Sequence, residues 1–196
     1  EAIRYSPEHL SCYQMTVEPS TTFGTMLEAG TLRLPAEERQ RELFMTTSDT
    51  LRAHGYAHYE ISNFARGEEF VSRHNAKYWR HAPYLGLGPS AHSFRGGKRW
   101  WNVRSVEEYC RRAARGEDPV EGSETLGDDE LAFETLYLGL RTREGVPLDA
   151  LRRYPGWRAT LDALCAESLL RVEGGRAVPT LNGFCLADAL AIAFSG

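Results

Sequence analysis

The densest run of reactive side chains is Arg73-His74-Asn75-Ala76-Lys77-Tyr78-Trp79-Arg80-His81. If it winds into about two helical turns, His74, Tyr78 and His81 fall on one side at i, i+4 and i+7. Arg73, Lys77 and Arg80 then form a basic stripe beside them. An imidazole ligates iron, aromatic rings stack on a flat macrocycle, and cations pair with carboxylates at its rim. Such a face suits a planar anionic ring carrying a metal. The same residues also fit a structural role, with Tyr78 and Trp79 anchoring a core and His74 held by hydrogen bonds.

A second signal is Tyr84-Leu85-Gly86-Leu87-Gly88-Pro89-Ser90-Ala91-His92-Ser93-Phe94. Strand alternation would send Leu85 and Leu87 one way and Gly86 and Gly88 the other, leaving a side without side chains that a ligand or backbone can approach closely. The alternative is a bulged strand whose glycines relieve crowding. The third glycine and following helix of a dinucleotide fingerprint are absent. Glu60 could act as an acid or base, or be bonded to neighbouring backbone. His54 and His58 flank a turn and are expected to be solvated. Trp100 and Trp101 read as sheet packing, and Arg111, Arg112 and Arg115 as a solvated basic face.

The elements that must position these residues follow from periodicity. Residues 9–18 read as a strand with Gln14, Thr16 and Glu18 on a wet face, 19–35 as a loop, and 36–54 as a helix closed by Gly55. Residues 56–64 are a second strand, so the order strand, helix, strand predicts a parallel crossover. Further strands are expected at 84–94 and 99–103. Ser105 and Glu108 form a capping box for a helix ending near Gly116. The acidic, glycine-containing stretch 118–127 marks a domain boundary. Beyond it lie helices at 128–142, 147–153 and 156–168, the first with an apolar stripe Leu131, Thr135, Leu138. Strands at 169–173 and 176–180 hinge on Gly174-Gly175, and a last helix runs to 194. Helices followed by a glycine-tipped hairpin form a winged-helix-like pattern. The fold class is α/β (α+β), with domains at 1–117 and 126–196.

Composition bounds the function. The chain has 196 residues, 42% of them hydrophobic, with 23 Lys and Arg against 27 Asp and Glu, giving a net charge of −4. It is a folded protein with no overall positive field for nucleic acid or anionic lipid. Residues 126–196 carry seven Arg and no Lys against ten acids, which argues against a DNA-binding winged helix. Asn182, Gly183 and Asp188 break the most apolar segment, residues 181–194, so no membrane span is expected. Four isolated cysteines point to a reducing cytoplasm. Opening on Glu1, the chain reads as a piece of a longer protein.

The series HLSCYQMTVEPSTTFG (9–24), GYAHYEISNFA (55–65), SRHNAKYW (72–79), YLGLGPSAHSF (84–94) and RWWN (99–102) resembles the C-terminal half of the HemW family. These are radical S-adenosylmethionine haem chaperones, often described as oxygen-independent coproporphyrinogen III oxidases. The resemblance implies the late strands of a partial TIM-like barrel and a winged-helix-like HemN C-terminal domain. It implies haem on the HNxxYW residues His74, Asn75, Tyr78 and Trp79, with His74 as iron ligand. It also places Thr16, Gly86, Gly88 and His92 at the S-adenosylmethionine pocket. The implied partners are haem or a porphyrinogen and haem-acceptor proteins, with porphyrinogen oxidation as the alternative activity. The family's CxxxCxxC motif for a [4Fe-4S] cluster is absent from this sequence, so the chain alone is expected to be catalytically inert.

Overall fold

Strand formation near the N-terminus is limited by pairing partners rather than by side-chain type. In the computed structural model, which describes residues 1–195, only His9–Ser11 (β1) of the expected 9–18 strand is paired. Its partner has three residues, and the ladder ends where the Cys12 N–H donates to the Ser62 carbonyl at 2.7 Å. Thr16 therefore lies on exposed irregular backbone, not on a strand face. The stretch expected as a loop holds a short helix, Thr22–Glu28 (α1), capped by the Thr21 hydroxyl accepting the Gly24 N–H at 3.1 Å. The helix expected at 36–54 forms as Glu37–Ala53 (α2).

Residues 56–64 do not make one strand. They hold Ala57–Glu60 (β2) and most of Asn63–Ala65 (β3), a hairpin without glycine or proline at its turn. The sheet order is β1-β3-β2, with β3 antiparallel to both neighbours. The two strands joined through α2 run in the same direction, but β3 lies between them, so the parallel pair predicted from the order does not form. Leu51 of α2 packs with Tyr56 and Phe64, and Ile3, Leu10 and Cys12 close this small core.

The chain continues through Arg73–Trp79 (α3) to a second antiparallel sheet. It comprises His92–Arg95 (β4), Lys98–Asn102 (β5) and, after Val106–Arg115 (α4), Val120–Thr125 (β6). The acidic stretch read as a boundary is thus the third strand. Its Glu124 lies opposite Arg99 and pairs with it at 2.9 Å, so its charge serves a cross-strand pair. Of the run 84–94, only Tyr84 bridges Phe94 before β4 begins.

The C-terminal portion consists of Asp128–Gly139 (α5), Val146–Pro147 (β7), Leu148–Leu151 (α6) and Trp157–Ala166 (α7). It continues with Leu170–Glu173 (β8), Arg176–Pro179 (β9), Leu181–Cys185 (α8) and Ala187–Ser195 (α9). The β8–β9 hairpin turns at Gly174-Gly175, both at positive φ, and β7 adds to it in the order β7-β9-β8. Leu136, Leu140, Leu151, Leu170, Leu190 and Phe194 form the main core, each contributing roughly 1.5–3 kcal/mol of burial. The α5 residues that face this core are Phe133, Leu136 and Tyr137, with Leu140 just past the helix end; Thr135 of the expected stripe is exposed. Backbone bonds seat this portion on the first sheet, from Ile61 N–H to the Arg141 carbonyl at 3.2 Å and from Arg143 N–H to the Tyr59 carbonyl at 3.0 Å. Among the described residues no helix is long and apolar enough to cross a membrane.

Candidate functional site

The HNxxYW run forms α3, and both ends of the helix are fixed. At its start the Ser72 hydroxyl accepts the Asn75 N–H at 3.2 Å. The Ser72 N–H donates to the Tyr59 hydroxyl at 3.2 Å, and that hydroxyl also lies 2.8 Å from His9 Nε2. At its end the His81 and Ala82 N–H groups donate to the carbonyls of Tyr78 and Lys77 at 3.0 and 2.9 Å. On the outer face His74 is exposed, with Nε2 3.2 Å from the Tyr78 hydroxyl and the two rings edge-on at 5.1 Å. Tyr84 meets Tyr78 edge-on at 4.7 Å, extending the aromatic surface. Arg73 and Lys77 beside it are exposed and have no ion-pair partner among the described residues. Arg80, the third expected cation, is committed to Glu144 at 2.8 Å. Asn75 is half-buried.

Trp79 does not share that face. It lines a cavity of about 240 Å³ between α3, β2 and the loop before β7, together with Tyr59, Glu60, Ala76 and Arg143. Its Nε1 is buried, lies outside hydrogen-bond geometry, and faces the Glu60 carboxyl. Glu60 is only 1% exposed. Burial raises its carboxyl above the usual range, opposed by bonds from Ser62 and Asn63. The Ser62 N–H donates to Glu60 Oε1 at 3.2 Å, so the bonded-carboxylate reading describes this residue. Trp79 follows His74 by five positions, which on a helix puts them on nearly opposite sides. Trp79 therefore packs beneath the helix, turned away from the face that carries His74.

His81 is also turned away from His74. Its ring stacks on Phe94 at 4.3 Å with an interplanar angle of 9°, and its Nε2 lies 3.0 Å from Glu134 Oε2. Helical phase predicts a common face, but the helix ends at Trp79 and His81 adopts a positive φ of 54°.

At the glycine run 84–94 the group that approaches the bare backbone is the chain's own backbone. The Gly86 N–H donates to Ser93 Oγ at 3.0 Å, and a Cβ at Gly86 would lie 2.1 Å from the His92 carbonyl oxygen. The Gly88 N–H donates to the Tyr109 hydroxyl at 3.0 Å, and its carbonyl accepts from Asn102 Nδ2 at 2.9 Å. The bare backbone faces its own chain, so these two N–H groups do not fit as ligands for S-adenosylmethionine. His92 and Thr16 are exposed, on β4 and on the segment after β1.

His58 was expected to be solvated. It is instead enclosed by Phe44, Phe64 and Phe184, stacked on Phe64 at 4.1 Å. Its Nδ1 lies 3.0 Å from Ser48 Oγ and its Nε2 3.2 Å from the Ile61 carbonyl, an arrangement that satisfies the neutral ring. Burial lowers its pKa. His54 is exposed, as expected. The arginines of α4 form pairs, Arg111 and Arg112 each 2.7 Å from Glu108.

Comparison with known proteins places this geometry. Residues 126–186 match the family described as the HemN C-terminal domain. The chain is 37% identical over 190 residues to the Heme chaperone HemW of Mycobacterium tuberculosis, covering 96% of this chain and 48% of that protein. It is 38% identical over 145 residues to Heme chaperone HemW of Bacillus subtilis, covering 74% and 38%. With the mitochondrial radical S-adenosyl methionine domain-containing protein 1 of Mus musculus it shares 34% over 200 residues, covering 93% and 45%. The chain spans about half the length or less of these curated relatives. The solved coproporphyrinogen III oxidase HemN of Escherichia coli, a radical SAM enzyme, matches with a TM-score of 0.69 at 16% identity, covering 99% of this chain and 49% of that one. At that identity the likeness shows the fold alone. Taken with the HNxxYW helix and the glycine-tipped C-terminal hairpin, these matches show that the chain belongs to the HemW family and spans a C-terminal portion of it.

Proposed function

We propose that the outer face of α3 binds haem as cargo, with His74 as the iron ligand, and that the protein delivers haem to acceptor proteins. The observation that carries this reading is the exposed His74–Tyr78 pair between two unpaired cations, on a chain whose relatives are named haem chaperones. Nε2 has the Tyr78 hydroxyl as its partner, so ligation there displaces that hydroxyl. His74 Nδ1 has no partner among the described residues. Tyr78 and Tyr84 supply apolar contact, and Arg73 and Lys77 suit the propionates. Asn75 belongs to the same helix without a contact that assigns it a role.

Radical chemistry belongs, in this reading, to a longer protein. S-adenosylmethionine and a [4Fe-4S] cluster would be held mainly by residues outside this sequence, with Thr16 and His92 as the side chains this chain offers. All four cysteines are unpaired, which suits a reducing compartment such as the cytoplasm. The second reading, a coproporphyrinogen III oxidase, draws on the fold likeness to HemN. Incubating the full-length protein with coproporphyrinogen III separates the two. The chaperone reading expects unaltered porphyrinogen together with stoichiometric haem binding; stoichiometric decarboxylation would contradict it.

A further inference from the structure

The carboxylate of Glu134, on α5, lies where three parts of the molecule meet. Its Oε2 lies 3.0 Å from His81 Nε2, out of line for a hydrogen bond. Both its oxygens accept from Arg99 Nη2 on β5, at 2.9 and 2.7 Å. Arg99 in turn holds Glu124 on β6. The His81 side chain is 15% exposed, between Glu134 and the Phe94 ring of β4.

His81 adopts left-handed backbone at the exit of α3, the place where helices favour glycine because a Cβ is strained there. In that conformation the histidine ring lies against Phe94 on one side and the Glu134 carboxylate on another. Through the His81 and Ala82 N–H groups, the last turn of α3 is closed onto the Tyr78 and Lys77 carbonyls. Both residues bear on the outer face, Tyr78 as the partner of His74 and Lys77 as one of its cations. A connected path thus runs from the C-terminal portion to the helix end that shapes this face.

We propose that Glu134 is a positioning residue for the outer face of α3, and that the C-terminal portion serves, through Glu134, His81 and Arg99, to hold that face in its binding shape. The proposal builds on the haem reading for what the face binds. The clamp itself can be read without haem.

The test uses the full-length protein with Glu134→Ala, Glu134→Gln and the exchange pair Arg99→Glu with Glu134→Arg. Amide hydrogen exchange over residues 77–82 should rise about tenfold in Glu134→Ala while α9 is unchanged, the local opening expected when a partly buried charge loses its partner. Haem affinity should fall about tenfold, the low end of what a hydrogen bond to a charged group is worth. The position of the Soret band should not move, because His74 still ligates. The exchange pair restores an Arg–Glu pair but sets a cation against His81 and a carboxylate opposite Glu124, so it should not recover protection. Glu134→Gln gives the same readouts if the alanine variant does not fold. Unchanged exchange over 77–82, or full recovery in the exchange pair, would overturn the clamp. Raised exchange in a protein whose wild type fails to bind haem would support the clamp and overturn the haem reading.

Discussion

A buried imidazole such as His58 couples stability to pH with a definite sign. Its pKa is lowered in the folded chain by burial, and its neutral form is matched by Ser48 and the Ile61 carbonyl. In the unfolded chain it titrates near the ordinary value of about 6.5. As pH falls through that value, the unfolded chain takes up a proton that the folded chain resists, so unfolding free energy declines. Glu60 acts in the opposite sense: its raised carboxyl pKa makes its contribution fade as pH rises past the ordinary carboxylate range. The difference between wild type and His58→Gln isolates the first effect. Denaturant unfolding from pH 7.5 to 5 should show a steeper loss in wild type than in the variant, and parallel curves would refute the assignment. Alternation could not reveal this environment. Phe44, Ser48 and Phe184 come from α2 and α8, and only the folded chain brings them around residue 58. The Glu60 environment was more legible, because a local backbone bond to Ser62 needs no distant partner.

Single elements were legible where their signal was local. The helix of 17 residues, Glu37–Ala53, and the hairpin at Gly174-Gly175 follow from periodicity and turn chemistry. The β2–β3 hairpin and β6 depended on pairing partners, which no local pattern names. The glycine run shows the difference most clearly: alternation located Gly86 correctly as a close-approach site, but the approaching group is the His92 carbonyl rather than a ligand. Substitution separates the two glycines. Gly86→Ala meets rigid backbone and should cost about 1–3 kcal/mol as overpacking. Gly88, at φ 104° with open space around its Cβ position, should lose roughly 1 kcal/mol on Gly88→Ala from backbone strain alone. Thermal denaturation without any ligand measures both, and a Gly86→Ala protein more stable than Gly88→Ala would contradict the close packing of Gly86 on the His92 carbonyl. The α3 helix itself was legible, while the fate of His81 was not, because the positive φ at its end breaks the helical phase.

On the scale of the whole molecule, the C-terminal core carries the larger share of buried apolar side chains and is bonded by backbone to the first sheet at Arg141 and Arg143. Leu140, fully buried beside that seam, tests the dependence. Leu140→Ala should lower unfolding free energy by about 2–5 kcal/mol, as large-to-small core changes do. A loss under 1 kcal/mol in denaturant unfolding would mean that this core is not what stabilises the chain. The proposed haem face lies on α3, which presents His74 to solvent. Haem titration followed by absorbance, comparing wild type with His74→Ala and His81→Ala, addresses it directly. The expected result is a Soret band that shifts or weakens in His74→Ala, while in His81→Ala it keeps its position with reduced affinity. An unchanged spectrum and affinity in His74→Ala, with loss of the band in His81→Ala, would contradict the claim and move the iron to His81.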